Sequence, residues 1–317
     1  MRKTPLISGL AIAFCLLANA AARCDETLKI AVPQRGAWDT GLAELGKRAG
    51  IFKKHGLDIE ILYTQAGPES ITALIAGSVD IATAAGVTSA VGTISKGAPI
   101  RIIGSEMLGA PDQYWFVPKE SPVQKIEDMN GKTIAFSLPG SSSYAAAAAL
   151  VAQYKLNAKL VSTGSISSTL TQTLTKQVDI GFSAAPFFLD KVETGEIRIV
   201  GTGDDVAVLK TRTGRVNLSN LATLQNRKDA LLRFHRAYLE TVDWMYSSPA
   251  ALKEFAEFSG LPEQVVNRVR TLIPKAAMDP SRLVGAEQIV IEAVAGKFLT
   301  APLTNEQVMA MVQIPAL

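Results

Sequence analysis

The chain of 317 residues contains two cysteines and two histidines, and that scarcity removes much possible chemistry. Cys15 lies inside an N-terminal apolar run, so Cys24 has no partner for an internal disulfide. His55 sits in a basic turn with Lys53 and Lys54, and His235 lies in a long helical stretch. No His/Cys/Asp cluster therefore has metal-ligand spacing. A Gly-x-Ser-x-Gly elbow is missing, and Gly201-Thr202-Gly203 is too short for a dinucleotide fingerprint. No catalytic residue, metal or cofactor is assigned. A one-signed charge is also lacking: 32 lysines and arginines face 29 acidic residues, and no basic stripe carries interleaved aromatics. Nucleic acid is accordingly not an expected partner. Beyond the N-terminus no apolar run reaches the roughly 20 residues a spanning helix needs.

What is present begins with an address. Arg2 and Lys3 precede an apolar run over Leu6–Leu17, and Ala18-Asn19-Ala20 or Ala20-Ala21-Ala22 offers a small-x-small cleavage site. These features predict a secretory signal peptide over 1–22, cleaved after Ala20 or Ala22, and a periplasmic mature protein. The run is too short for a membrane anchor. Arg23 before Cys24, and Phe14 before Cys15, argue against a lipid-anchored cysteine.

The rest alternates strand-like and helix-like segments, which argues for an α/β fold with mainly parallel sheets. Strands are expected at Leu28–Val32, Leu57–Tyr63, Val79–Ala84 and Ile100–Gly104. Helices are expected at Gly41–Lys54, Pro68–Ala76 and about 88–95. The rhythm restarts with strands at Gln113–Val117, Lys132–Phe136, Lys159–Ser162, Val178–Phe182 and Ile197–Val200, and an alanine-rich helix over Ser141–Tyr154. From about Arg215 the chain reads as one further strand, Leu218–Leu224, and then a helical tail. Two α/β passes predict two lobes, 23–110 plus 204–317 and an inserted 111–203. The crossings near Gly109-Ala110-Pro111 and Thr202-Gly203-Asp204 have the form of a hinge.

In open α/β sheets ligands bind beyond the carboxyl ends of strands. The loops there are rich in Gly, Ser and Thr and poor in acid–base groups, so they suit close backbone approach and hydrogen bonding. Gly140-Ser141-Ser142-Ser143 at a helix start suits an anionic oxygen, although plain N-capping would also use such serines. Arg35 and Trp38 form a second candidate, one for an anion and one for stacking, with a hydrophobic staple as the alternative for Trp38. Gln65, Thr88, Ser183 and Pro186 lie in equivalent loops. Glu106 is the carboxylate expected near the cleft, receiving a ligand amine. One of Tyr114 and Trp115 is expected on a core face, which leaves the other to line the cleft.

Several segments resemble a known family. Gly50-Ile51-Phe52, Gly56-Leu57, Leu74-Ile75-Ala76-Gly77-Ser78-Val79-Asp80 and Ile126-Glu127-Asp128-Met129-Asn130-Gly131-Lys132 occur in the order found in nitrate/sulfonate/taurine-type solute-binding proteins of ABC transporters. Val178-Asp179-Ile180, followed by Pro186 and Gly195, continues the match. The resemblance implies a type II periplasmic-binding-protein fold with hinge closure, and hand-over of a small-molecule ligand by a monomer to a membrane permease. Ligand positions are implied around Trp38, Gln65, Thr88, Ser141–Ser143 and Pro186. Arg35 is the one basic residue of those loops, so a singly charged sulfonate or carboxylate, or a small heterocycle, fits better than a multiply charged anion. The alternative is an enzyme of the same fold acting on a small pyrimidine or acid.

Overall fold

The computed structural model describes residues 25–316; the expected signal segment and Cys24 lie outside them. One sheet has the order β2-β1-β3-β10-β4, from strands β1 (Glu26–Pro33), β2 (Leu57–Thr64), β3 (Ile81–Gly86), β4 (Ile100–Leu108) and β10 (Thr213–Asn220). The second group comprises β5 (Gln113–Pro118), β6 (Thr133–Phe136), β7 (Lys159–Ser162), β8 (Gly181–Ala184) and β9 (Ile197–Thr202). There β5 is central to β8-β5-β9 while β6 pairs with β7, and an Ile134–Ile180 bridge joins the two pieces.

Thirteen α-helices are described: α1 (Leu42–Arg48), α2 (Ile51–Lys54), α3 (Gly67–Ile75), α4 (Val87–Ser95), α5 (Ser142–Gln153), α6 (Ile166–Leu174), α7 (Leu189–Glu193), α8 (Leu221–Asn226), α9 (Lys228–Ser247), α10 (Pro249–Ser259), α11 (Glu263–Leu272), α12 (Ala286–Ala295) and α13 (Asn305–Met309). The expected helix over 41–54 breaks in two because Gly50 adopts φ 70°, a left-handed conformation that suits glycine. None of these helices is long and apolar enough to cross a membrane.

The expected mainly parallel pairing needs correction. β1 pairs parallel with β2 and β3, and β6 with β7. The strands beside the lobe crossings are antiparallel: β10 runs against both β3 and β4, and β5 against both β8 and β9. The segment expected as one strand over 218–224 is instead the end of β10 followed by α8. β10 enters the first sheet at the end where β4 leaves it, Thr213 beside Leu108, and so runs against its neighbours. The two crossings then lie side by side. Gly109 donates to the Arg212 carbonyl at 2.9 Å. A Cβ on Gly203 would stand 2.0 Å from the Ala110 oxygen, so only glycine permits this backbone contact.

The largest core packs β1, β2, α1 and the C-terminal helices together with Tyr114 and Phe116 of β5 and Leu189 and Ile197, a second gathers residues of β5–β9 and α5, and a third packs α3, α4 and α12 on β3, β4 and β10. Trp38, expected at the cleft, lies at 0 % exposure in the first. Its indole stands edge-on to Phe255 at 5.0 Å and to Tyr246 at 5.8 Å. Its Nε1 donates to the Tyr246 hydroxyl at 3.1 Å, which in turn donates to the Ile273 carbonyl at 2.7 Å. The alternating pattern at the strand end could not reveal that helices two hundred residues later would cover this ring. Trp38→Ala should therefore cost about 3–5 kcal/mol of stability in urea titration, as for other buried aromatic truncations. A cleft tryptophan would leave the midpoint nearly unchanged.

Candidate functional site

A cavity of about 30 Å³ lies where the ends of β1, β3 and β8 meet the start of α5. Its walls include Gln34, Asp39 and Ala84 from one lobe, and Asp112, Gln113 and Ser142 from the other, with Arg215 of β10 in its lining. Gln34 and Ala84 both hold positive φ, 55° and 51°. Non-glycine residues in that conformation store strain and cluster at sites where geometry matters.

The start of α5 explains itself from sequence. Ser141 is the N-cap, and its hydroxyl accepts from the Tyr144 N–H at 3.2 Å. The Ser143 hydroxyl lies 2.8 Å from that of Ser141, and it accepts the Ser137 N–H at 3.0 Å. Two of the three serines thus knit the loop together. Ser142 at the cavity receives the Gln113 Nε2 at 3.2 Å. The first-turn N–H groups of Ser142 and Ser143 have no intrahelical acceptor, so the helix start presents donors and a positive dipole end to the cavity.

Facing it across the interlobe contact is Gly86, the residue before α4. A Cβ here would lie 2.7 Å from the Gly140 oxygen and 3.0 Å from the Ser142 nitrogen. The two lobes touch backbone to backbone at this point. Only the lack of a side chain at Gly86 allows it.

On the cavity floor one guanidinium meets three carboxylates. Arg215 Nε lies 3.2 Å from Glu106, and its Nη2 lies 2.8 Å from Asp112 and 3.2 Å from Asp39. All four side chains are almost wholly buried. Burial, then the neighbouring Asp39 charge, holds the Glu106 carboxyl well above the ordinary carboxylate range, with Arg215 opposing. Burial also raises Asp112, against the pull of Arg215. Three carboxyl groups thus face a single guanidinium.

The other expected residues divide. Gly140 touches Ser89 and Phe298 rather than the cavity. Glu106 lies beneath it, in a 10 Å³ void with Asp39, Thr83 and Tyr238. Arg35 is a correction: it is exposed, with its guanidinium over Phe258 at 4.6 Å and near Tyr63 at 6.0 Å, where it screens lobe-one aromatics. Gln65 is exposed beside Glu69 and does not line the cavity. Ser183 alternates away from it and bonds the Phe187 carbonyl at 3.2 Å, while its neighbours Phe182 and Ala184 face inward. Pro186 is buried just beyond them. Thr88 is buried in the wall of a separate groove between α5 and α12. Tyr114 and Trp115 are both buried in cores and neither reaches the cavity. Asp39, Asp112 and Arg215 were not expected here; Arg215 lies more than 100 positions from each of the three carboxylates, on a strand read as starting later.

A family model described as NMT1/THI5 like matches residues 44–252, more than half of the chain. The chain belongs to the NMT1/THI5-like family. Solved structures agree in fold with this NMT1/THI5-like chain. The alkanesulfonate-binding protein SsuA from Xanthomonas axonopodis pv. citri, bound to MOPS, is 21% identical with a TM-score of 0.75, over 91% of this chain and 98% of that one. A Candida albicans protein with the generic periplasmic binding protein fold is 15% identical at 0.71, over 92% and 97%. The periplasmic nitrate-binding protein NrtA from Synechocystis PCC 6803 is 13% identical at 0.70, over 90% and 84%. No curated protein sequence matches this NMT1/THI5-like chain. These likenesses establish the two-lobed periplasmic-binding-protein fold.

Glu106 yields a pH prediction. Its folded-state pKa is raised, so the folded chain retains a proton that the unfolded chain releases above about pH 4.3. Stability should fall by about 1.4 kcal/mol per pH unit between that value and the folded pKa. Glu106→Gln should flatten this slope in urea titrations run upward from pH 5. An unchanged slope would contradict a protonated Glu106.

Proposed function

We propose that this chain is the extracytoplasmic solute-binding component of an ABC importer. As a monomer in the periplasm, it captures one small organic solute between its lobes, a sulfonate or carboxylate anion or a small heterocycle, and presents it to a membrane permease. The hinge crossings near 110–111 and 203–204 separate the two lobes.

The observation that carries this reading is the Gly86 contact against Gly140 and Ser142, which closes a polar, strained cavity between the two lobes. A floor of buried charge under a helix start is costly to assemble, and a solute that needs those groups explains it. The cavity volume fits the same picture. Small-molecule sites commonly enclose about 300–1,000 Å³, so at about 30 Å³ the lobes must part to admit a solute and settle around it at a wider angle. The hinge glycines supply the freedom to do so. Turnover has no support from the cavity lining, which contains no imidazole or thiol, and whose Ser141 and Ser143 hydroxyls are committed to each other.

A thermal-shift screen of the mature chain against sulfonates, carboxylates, nitrate and pyrimidines checks the reading. A true solute at 100 times its Kd contributes about 2.7 kcal/mol and should raise the melting temperature visibly. No rise anywhere would sink it. Gly86→Val separates closure from folding. Its side chain has to push the lobes apart at Gly140, so the affinity for any hit should fall at least tenfold. The melting temperature without solute should move little, since an open chain accommodates the branch. Equal affinity would show that closure at Gly86 plays no part.

A further inference from the structure

We propose that Asp39 and Asp112 form an acidic subsite that takes a protonated nitrogen of the solute, so that the preferred ligand is a small molecule carrying both an N–H-rich cationic or amidine-like group and an acceptor oxygen or ring nitrogen. This rests on the solute-binding reading and narrows its ligand class.

Arg215 is the one basic side chain in the cavity lining. Its Nη2 is shared between Asp39 Oδ2 and Asp112 Oδ1, and its Nε is taken by Glu106. Asp39 Oδ1 and Asp112 Oδ2 are left without any hydrogen-bond partner, in side chains with 2 % and 1 % of their surface exposed. Both residues line the same cavity. A buried carboxylate oxygen left unpaired is costly, so two of them on residues lining one space call for a donor. With three carboxyl groups around one guanidinium, a cation is the favoured donor, and a further carboxylate or sulfonate is disfavoured at this end.

The geometry also decides which cation. Among the described residues no group of three or more His, Cys, Asp and Glu side chains is disposed to hold a metal ion. The space of about 30 Å³ suits one or two water-sized groups. An ammonium has three donors and no acceptor, which suits two single-oxygen acceptors and one neighbour. Asp39 belongs to the lobe of β1 and Asp112 to the start of β5 in the other. A nitrogen held by both would join the lobes across the hinge.

The opposite wall has the complementary chemistry. The Ser142 and Ser143 N–H groups at the start of α5 and the Gln113 and Ser142 side chains can receive an anionic or neutral acceptor. A solute spanning the two walls needs opposite polarity at its ends. A plain alkanesulfonate or nitrate would satisfy one wall and leave the carboxylate oxygens unpaired.

Matched pairs test this on the wild-type chain by thermal shift and calorimetry. Suitable pairs are 3-aminopropanesulfonate with propanesulfonate, 4-aminobutanoate with butanoate, and 4-aminopyrimidine with pyrimidine, within a library of anions, cations, zwitterions and neutral heterocycles. Hits should be confined to compounds with a charged or amidine-like nitrogen, and removing that nitrogen should weaken binding at least tenfold. Asp112→Asn and Asp39→Asn keep an acceptor for Arg215 and should lower affinity for the same hits tenfold or more. Tight binding of an anion lacking N–H donors, or undiminished affinity in both folded variants, would overturn the acidic subsite while leaving the solute-binding reading standing. Absence of any hit in any class would overturn that reading itself.

Discussion

One buried guanidinium sets the terms for the rest of this molecule. Arg215 stands on the strand that returns from the inserted lobe, beside Gly86 in one direction and Met107 in the other. It gathers Asp39 from the loop after β1, Glu106 from β4, and Asp112 from the far side of the crossing. Removing one member of a buried ion cluster commonly costs about 3–5 kcal/mol, because the remaining charge is stranded. The return strand, the hinge and the floor of the cavity are therefore coupled through one side chain. The antiparallel insertion of β10 is what brings Arg215 to this place.

The same cluster explains why the cleft is more than a gap. Close-packed lobes would exclude water from an apolar seam at no cost, but here the seam covers carboxylate oxygens with nothing to bond. Closure is thus poised. Glycine at position 86 removes the steric barrier to contact, while the unpaired oxygens oppose it until something supplies a donor. On the proposed solute-binding reading that balance is required, since a chain that closed firmly by itself would have no affinity left to gain from its solute.

Much of the fold was legible before any coordinates. Apolar runs punctuated by glycine marked β1, β2, β5, β6 and β9 to within a few residues, and the alanine-rich stretch after Gly140 marked α5. Local signals sufficed because each run carries its own periodicity and stop. The antiparallel strands escaped because pairing direction is a property of chain crossings, not of a window of residues. The site was legible only on one wall. Ser141–Ser143 announce a helix start, and Glu106 lies on a strand of the cleft floor, so local reasoning reaches both. Trp38 and Arg35 misled because the helices and aromatic rings that claim them come from distant sequence. Asp39, Asp112 and Arg215 carry no local signal until β10 places them together. A charge cluster assembled from four separate segments leaves no spacing to find.

The most direct test of the account is the distance between the lobes. Spin labels at Glu69 at the start of α3 and Ser167 at the start of α6, in a Cys24→Ser background, report on it by pulsed dipolar spectroscopy; both positions are exposed. A broad distribution reaching to long distances in free protein, narrowing to one shorter distance with a saturating solute from the screen, is the predicted result. A single narrow distance that no binding solute alters would contradict the hinge and the closing cleft together.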